Sequence, residues 1–316
     1  MLRVAVVGAG GWGKNHVRVL RLLSAEGMVD ELYVVDIDED RLKWASKAYG
    51  ASPLRTIDEA IKADIDAAVV ATPTKLHYQH AKALMESGIS LLVEKPFTEN
   101  YRQALELMDL RRGVKVVTTG YVLRHHPAVK FMRDNLGKLG GVVSIYSRRT
   151  SPKPQRAGDV GVIKDLTIHD IDLAIFAANV KPEAVVAYGL LEGDYVIHAQ
   201  IFALGEGTSS FFESSWTPSY KFRRFEVMGV EGMAAIDFST DTITFFEKGQ
   251  TWSPRLAGEE PLLAQDREFL KAVAEGSGHV VSPEEILYTI KFCDAAEISI
   301  KSRREVYVEE LDNFIQ

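Results

Sequence analysis

The stretch Gly8-Ala9-Gly10-Gly11-Trp12-Gly13 spaces three glycines as Gly-x-Gly-x-x-Gly, directly after the β-branched run Val4–Val7. In that context each glycine has a mechanical role, in that Gly8 makes a tight turn, Gly10 lets the backbone approach a pyrophosphate, and Gly13 lets helix and strand pack closely. The helix that follows offers unpaired N–H groups and the positive end of its dipole, which suit an anion. The same spacing also fits a purely structural turn. A second run, Leu32–Val35, ends in Asp36, near the offset of roughly 20 residues at which a carboxylate accepts hydrogen bonds from an adenine ribose. Such a carboxylate repels a 2′-phosphate, so the sequence implies NAD, with NADP disfavoured. Arg41 would weaken that preference, but it is expected on the exposed face of a helix.

Two more short runs stand at predicted strand ends, where open α/β sheets bind ligands. Thr72, Pro73 and His77 follow Ala67–Val70, and Glu94-Lys95-Pro96 follows Leu91–Val93. A lysine closing a strand is ordinarily a surface residue; one followed by proline beside a cofactor loop is a functional candidate. Further along, about 100° of rotation per residue puts Asp165, His169, Asp172 and Phe176 on one arc of a helix, so that acids and histidine converge. Histidine suits proton transfer because its ordinary pKa lies near neutrality. The competing reading has Asp165 as a helix cap and His169 as a satisfied interior side chain.

These residues require a scaffold, and the hydrophobic pattern supplies one. Short β-branched runs at Val4–Val7, Leu32–Val35, Ala67–Val70, Leu91–Val93 and Val114–Val117 alternate with helical segments such as Asp58–Ala63 and Tyr78–Ser87. Such alternation predicts a doubly wound parallel sheet, a Rossmann domain, over 1–121. After a helix from Pro127 to Asn135 the texture changes to alternating strands: Val142–Arg149, Ala184–Gly189, Tyr195–Ala203, Thr208–Trp216, Phe222–Gly229, Met233–Phe238 and Thr242–Glu247. Hairpin turns at Leu204–Gly207 and Gly229–Gly232 join some of them. Helices follow at Pro261–Glu275 and Pro283–Lys301, the latter capped by Ser282 with Pro283 at its first position. Residues 122–316 therefore read as an α+β domain with a mostly antiparallel open sheet, giving an α/β protein of two domains.

The motifs Trp12-Gly13-Lys14-Asn15-His16, Ala71-Thr72-Pro73-Thr74-Lys75-Leu76-His77, Glu94-Lys95-Pro96 and Asp165–Asp172, in that order, resemble the glucose-fructose oxidoreductase and inositol dehydrogenase (GFO/IDH/MocA) family over nearly the whole chain. The resemblance implies an NAD(P)-dependent dehydrogenase acting on a secondary alcohol of a sugar, nucleotide-sugar or cyclitol. It implies cofactor contacts from Gly8, Gly10, Gly11, Trp12, Gly13, Asp36, Thr72, Pro73, His77, Glu94 and Lys95. It further implies catalysis by Lys95, Asp165 and His169: Lys95 donates to the substrate oxygen, His169 acts as general base, and Asp165 orients it or binds a substrate hydroxyl. Lys95, Arg124, Asp165 and His169 are the implied substrate contacts. Pro96 matches a position that often follows a cis peptide bond in the family.

Some features narrow or qualify that expectation. Trp12, the Asn15-His16 pair and Asp159-Val160-Gly161-Val162 resemble members that act on UDP-N-acetylhexosamines at the 3-hydroxyl, with free-sugar or inositol dehydrogenases as the nearest rivals. His125 and His126 depart from the family's pattern. A zinc site drawing on His125, His126 and His169 is not expected, because adjacent histidines usually point apart and relatives work without metal. A different class, a non-catalytic NAD-dependent sensor or regulatory subunit, is opposed by the retention of Lys95, Asp165 and His169 together.

Composition excludes other classes. With 37 basic and 44 acidic residues and a net charge of −7, the chain lacks the basic excess of a nucleic-acid binder. The start opens into a strand without a signal-peptide pattern and no apolar run can span a bilayer, so a cytoplasmic protein without membrane contacts is expected. The single cysteine, Cys293, reads as a buried inert thiol. The open sheet of the second domain offers a broad face for a homodimer or homotetramer.

Overall fold

The computed structural model describes residues 1–154, 159–276 and 280–313. The chain forms two compact units, Met1–Val122 with Glu259–Leu287 and Leu123–Gly258 with Tyr288–Gln316.

The first unit is built on six parallel strands, β1 (Leu2–Val7), β2 (Val29–Val35), β3 (Ser52–Leu54), β4 (Ala67–Val70), β5 (Ser90–Glu94) and β6 (Val117–Gly120), in the order β3-β2-β1-β4-β5-β6. Helices α1 (Gly13–Ala25), α2 (Glu39–Tyr49), α3 (Ile57–Lys62), α4 (Thr74–Glu86) and α5 (Tyr101–Leu110) make the crossovers. Strands β4 and β5 are buried along their whole length, as a sheet covered on both faces requires. Strand β6 begins three residues later than the apolar run Val114–Val117 suggests. Its continuation is polar but buried: Thr119 Oγ1 donates to the Val93 carbonyl at 2.9 Å, and Thr118 Oγ1 accepts the Val281 N–H at 3.1 Å.

The second unit carries a nine-stranded sheet. Its strands are β7 (Val142–Thr150), β8 (Ala184–Glu192), β9 (Tyr195–Gly205), β10 (Thr208–Ser215), β11 (Phe222–Gly229), β12 (Gly232–Asp237), β13 (Thr242–Glu247), β14 (Gln250–Trp252) and, near the end of the chain, β15 (Val306–Tyr307). The order is β14-β13-β12-β11-β7-β10-β9-β8-β15, antiparallel except where β7 and β10 run parallel. Helix α6 (Pro127–Asp134) precedes the sheet, and α7 (Ile168–Ala178) follows β7. On one face Ile201, Ala203, Phe212, Phe225 and Val227 are fully buried, and Phe212 meets Phe292 edge-on at 6.1 Å.

The division differs from two consecutive domains split at 121/122. Helix α8 (Pro261–Glu275), expected in the second domain, belongs to the first unit. Its Leu262, Phe269, Leu270 and Val273 share one apolar core with Val19, Leu20 and Leu23 of α1 and Val4 and Val6 of β1. The face of α1 turned away from the sheet needs a cover, and α8 provides it. The following helix α9 (Pro283–Ser302) starts with the expected cap: Ser282 Oγ accepts the Glu285 N–H and the Glu285 carboxylate accepts the Ser282 N–H, at 3.2 and 2.9 Å. The short α10 (Glu310–Asn313) ends the described chain.

Candidate active site

In the first unit the glycine loop leaves β1 and enters α1 with Gly8 at φ +93°. A Cβ at Gly8 would lie 2.8 Å from Thr72 Cγ2, and one at Gly13 would collide with the Gly8 carbonyl, so both positions admit only glycine. Gly10 and Gly11 have nothing within 4 Å of a Cβ position. Open space therefore lies over the start of a helix that lacks a side-chain cap. This arrangement fits a pyrophosphate, which would take the N–H groups a cap would otherwise use.

Asp36 closes β2 with its carboxylate fixed: Oδ2 accepts the Ala9 N–H at 2.7 Å and Oδ1 the Asp38 N–H at 2.9 Å. Lone pairs remain for ribose hydroxyls. Arg41 is not on an exposed face. It reaches back with Nη1 3.3 Å from Asp36 Oδ2 and Nε 3.3 Å from Asp38 Oδ2, because the Asp38 cap starts α2 and brings position 41 over the strand end.

The strand-end loops after β4 and β5 are joined by His77. Its Nδ1 is 2.9 Å from the Pro96 carbonyl oxygen and its Nε2 2.8 Å from that of Thr72. His77 is 1% exposed and bridges these two loops. The Lys95-Pro96 peptide is cis, and Lys95 is half-buried. Glu94, expected among the cofactor residues, turns its carboxylate inward: Oε1 lies 3.0 Å from His16 Nε2 and Oε2 accepts the Lys95 N–H at 3.3 Å. His16 Nδ1 meets Asp266 Oδ2 of α8 at 2.8 Å. Sequence reasoning gave His16 and Asp266 no role. Only the polar residue Asp266 amid the apolar face of α8 hinted at an interior partner.

In the second unit the segment expected as a regular helix begins with a π-turn, Ile163–Thr167, before α7. Its anchor is Lys164, which is 6% exposed and bonded to Asp294 and Glu297 of α9 at 2.8 and 2.9 Å. Burial works against that ammonium, but the two carboxylates outweigh it and raise its pKa. Across 161–174 every residue is buried except Asp165 and His169. Asp165 is not a helix cap: its Oδ2 accepts from the Trp216 indole N–H at 3.2 Å.

Asp172 is 1% exposed and accepts two bonds from Arg124, at 2.8 Å from Nε and 2.6 Å from Nη2. The guanidinium groups of Arg124 and Arg133 lie 4.9 and 4.7 Å from the ring centroid of Phe176. Arg124, expected at the substrate, is bonded to α7 through Asp172, as Arg149 is through Asp170 at 2.7 Å. Asp172 and Phe176 of the expected arc are therefore in contact with arginine side chains.

His125 and His126 serve different ends. Burial, then Lys130 and Arg124, push His125 down to about 4. His126 caps α6 by accepting the Ala128 N–H, with Nε2 3.1 Å from Asp241 Oδ1. Among the described residues no group of three or more His, Cys, Asp or Glu is placed to hold a metal. Among the same residues no helix is long and apolar enough to cross a membrane. Cys293 is buried, and burial raises its thiol well above the ordinary value.

A Rossmann sheet whose glycine loop is open and whose second strand ends in a fixed aspartate defines a dinucleotide-binding oxidoreductase. Residues 2–122 match the family described as an oxidoreductase family with an NAD-binding Rossmann fold, and residues 133–235 match the GFO/IDH/MocA C-terminal domain. The chain belongs to the GFO/IDH/MocA oxidoreductase family, whose N-terminal domain is an NAD-binding Rossmann fold. It is 26% identical to UDP-N-acetylglucosamine 3-dehydrogenase of Acidithiobacillus ferrooxidans, over 86% of this chain and 89% of that one. It is 27% identical to inositol 2-dehydrogenase of Rhizobium meliloti, over 97% and 99%. The solved structure of GenD2 from gentamicin A biosynthesis, in complex with NAD, superposes with a TM-score of 0.84 at 26% identity, covering 97% of this chain and 96% of that one.

Proposed function

We propose that this protein is an NAD-dependent dehydrogenase that oxidises a secondary alcohol of a sugar, nucleotide-sugar or cyclitol in the cytoplasm, as a homo-oligomer. The observation that carries the reading is the burial pattern: in a segment otherwise buried over 161–174, two titratable groups, Asp165 and His169, are only half-buried. The likeness to UDP-N-acetylglucosamine 3-dehydrogenase makes the 3-hydroxyl of a UDP-N-acetylhexosamine the first candidate.

When bound, NAD supplies the acceptor for the hydride leaving the carbinol carbon. His169 takes the hydroxyl proton as general base, and Asp165 orients that ring or holds a neighbouring hydroxyl. The Lys95 ammonium donates to the same oxygen and stabilises the alkoxide character that builds as the C–H bond breaks. Gly10, Gly11 and the start of α1 hold the pyrophosphate, and Asp36 holds the ribose.

The test is NADH absorbance on a panel of UDP-N-acetylhexosamines, free sugars and inositols. Lys95→Met is expected to keep NAD affinity and to lose about a hundredfold or more in turnover. In His169→Asn the rise of kcat with pH is expected to flatten, since oxidation through this base needs the neutral ring. NAD binding with no turnover on any alcohol would favour the sensor instead.

A further inference from the structure

A chain of buried ions stands behind Lys95, and the proposed reaction does not use it. Asp266 and His16 have no exposed surface and Glu94 is 7% exposed. The contacts run from Asp266 on α8 to His16 on α1 at 2.8 Å, from His16 to Glu94 on β5 at 3.0 Å, and from Glu94 to the Lys95 N–H at 3.3 Å. A ring whose two nitrogens both face carboxylate oxygens must donate through both, which only imidazolium does. Burial opposes this charge, but Asp266 and then Glu94 outweigh it and raise His16 to about 10. At the end of β6 a side chain on Gly120 would collide with the Glu94 carboxylate, so the fold leaves room for this acid.

A buried ion array is a poor stabiliser, because desolvation consumes most of the attraction and apolar packing would serve as well. Its value is directional. His16 lies three residues after Gly13, on the helix that bears the cofactor loop, and Glu94 immediately precedes Lys95. We propose that His16 is a positioning residue, which through Glu94 fixes the Lys95-Pro96 turn relative to the glycine loop, with Asp266 holding its ring. This rests on the reading that Lys95 acts on the substrate oxygen.

The experiment compares His16→Gln, the near-isosteric Glu94→Gln and Lys95→Met in kcat, in NAD affinity by calorimetry and in amide exchange. Glu94→Gln keeps the His16–Asp266 pair intact and so guards against loss of folding. A displacement of about 1 Å can cost about a hundredfold in rate. Both triad variants are therefore expected to lose at least about tenfold in kcat with NAD affinity little changed, and to exchange faster over residues 94–101 but not over β4. Among the described residues the charged groups bonded to His16 are Asp266 from α8 and Glu94 from β5. The stability gap between wild type and His16→Gln is accordingly expected in full below about pH 6.5 and to close as pH rises through about 10. Wild-type kcat and unchanged exchange in both triad variants, beside an inactive Lys95→Met, would overturn the proposal. An active Lys95→Met would instead remove the lysine from the chemistry, while faster exchange over 94–101 in the triad variants would still support its positioning.

Discussion

Asp36 and Arg41 show how one side chain's surroundings set a cofactor preference. The Asp36 carboxylate is fixed by two backbone N–H groups, yet a guanidinium lies 3.3 Å from it. The carboxylate repels a 2′-phosphate, whereas Arg41 is placed to attract one as soon as that carboxylate is gone. Asp36→Ser is therefore expected to shift the NAD to NADP affinity ratio towards NADP by more than about tenfold, roughly what one removed charge contact is worth. Adding Arg41→Ala should reverse part of that shift. Calorimetric titration with both dinucleotides reads it, and a wild type that prefers NADP would show that Asp36 does not meet the ribose.

At the level of the element, the π-turn that leads into α7 is tied down by a buried lysine. The π-turn Ile163–Thr167 carries Asp165, whereas His169, Asp172 and Phe176 lie on the regular helix α7 that follows it. Lys164 pins this turn to α9, and the carboxylates it bonds are each partly exposed. Lys164→Met should cost about 3 kcal/mol, the low end for breaking a buried pair, since Asp294 and Glu297 can recover some water. Urea unfolding measures this. A loss under about 1 kcal/mol would mean that the turn is held by packing alone.

For the whole molecule, the open sheet of the second unit poses the question of assembly. Its outward residues form an apolar row in which Tyr146 stacks on Phe211 at 5.2 Å and Phe211 pairs with Phe202 on the next strand. Tyr146 and Phe202 are 45% and 46% exposed, and Leu204, Tyr188 and Leu190 are exposed as well. The Arg148–Glu213 pair stands on the two strands that carry Tyr146 and Phe211, so a second copy rotated by two-fold symmetry could meet both apolar and charged groups in kind. Light scattering is expected to show an oligomer that Phe202→Asp converts to monomer. A monomeric wild type would remove the sheet face from consideration.

The local signals were legible because each depends on residues close in sequence. Glycine spacing set the β1–α1 turn, apolar alternation set the strands of the second sheet, and Asp36 fell at a strand end because β2 is a short β-branched run. Lys95 and the stretch 165–169 were legible in the same way, as short motifs at element ends. What the sequence left open were pairings over long separations. His16 and Asp266 are 250 positions apart, Arg124 and Asp172 are 48 apart, and helix α8 crosses back to the first unit. A charged side chain on an apolar helix face, as Asp266 is on α8, marks an interior position but does not name its partner. That depends on which helix face the packing leaves uncovered, and a buried charge then selects its partner because desolvation leaves no other stable arrangement.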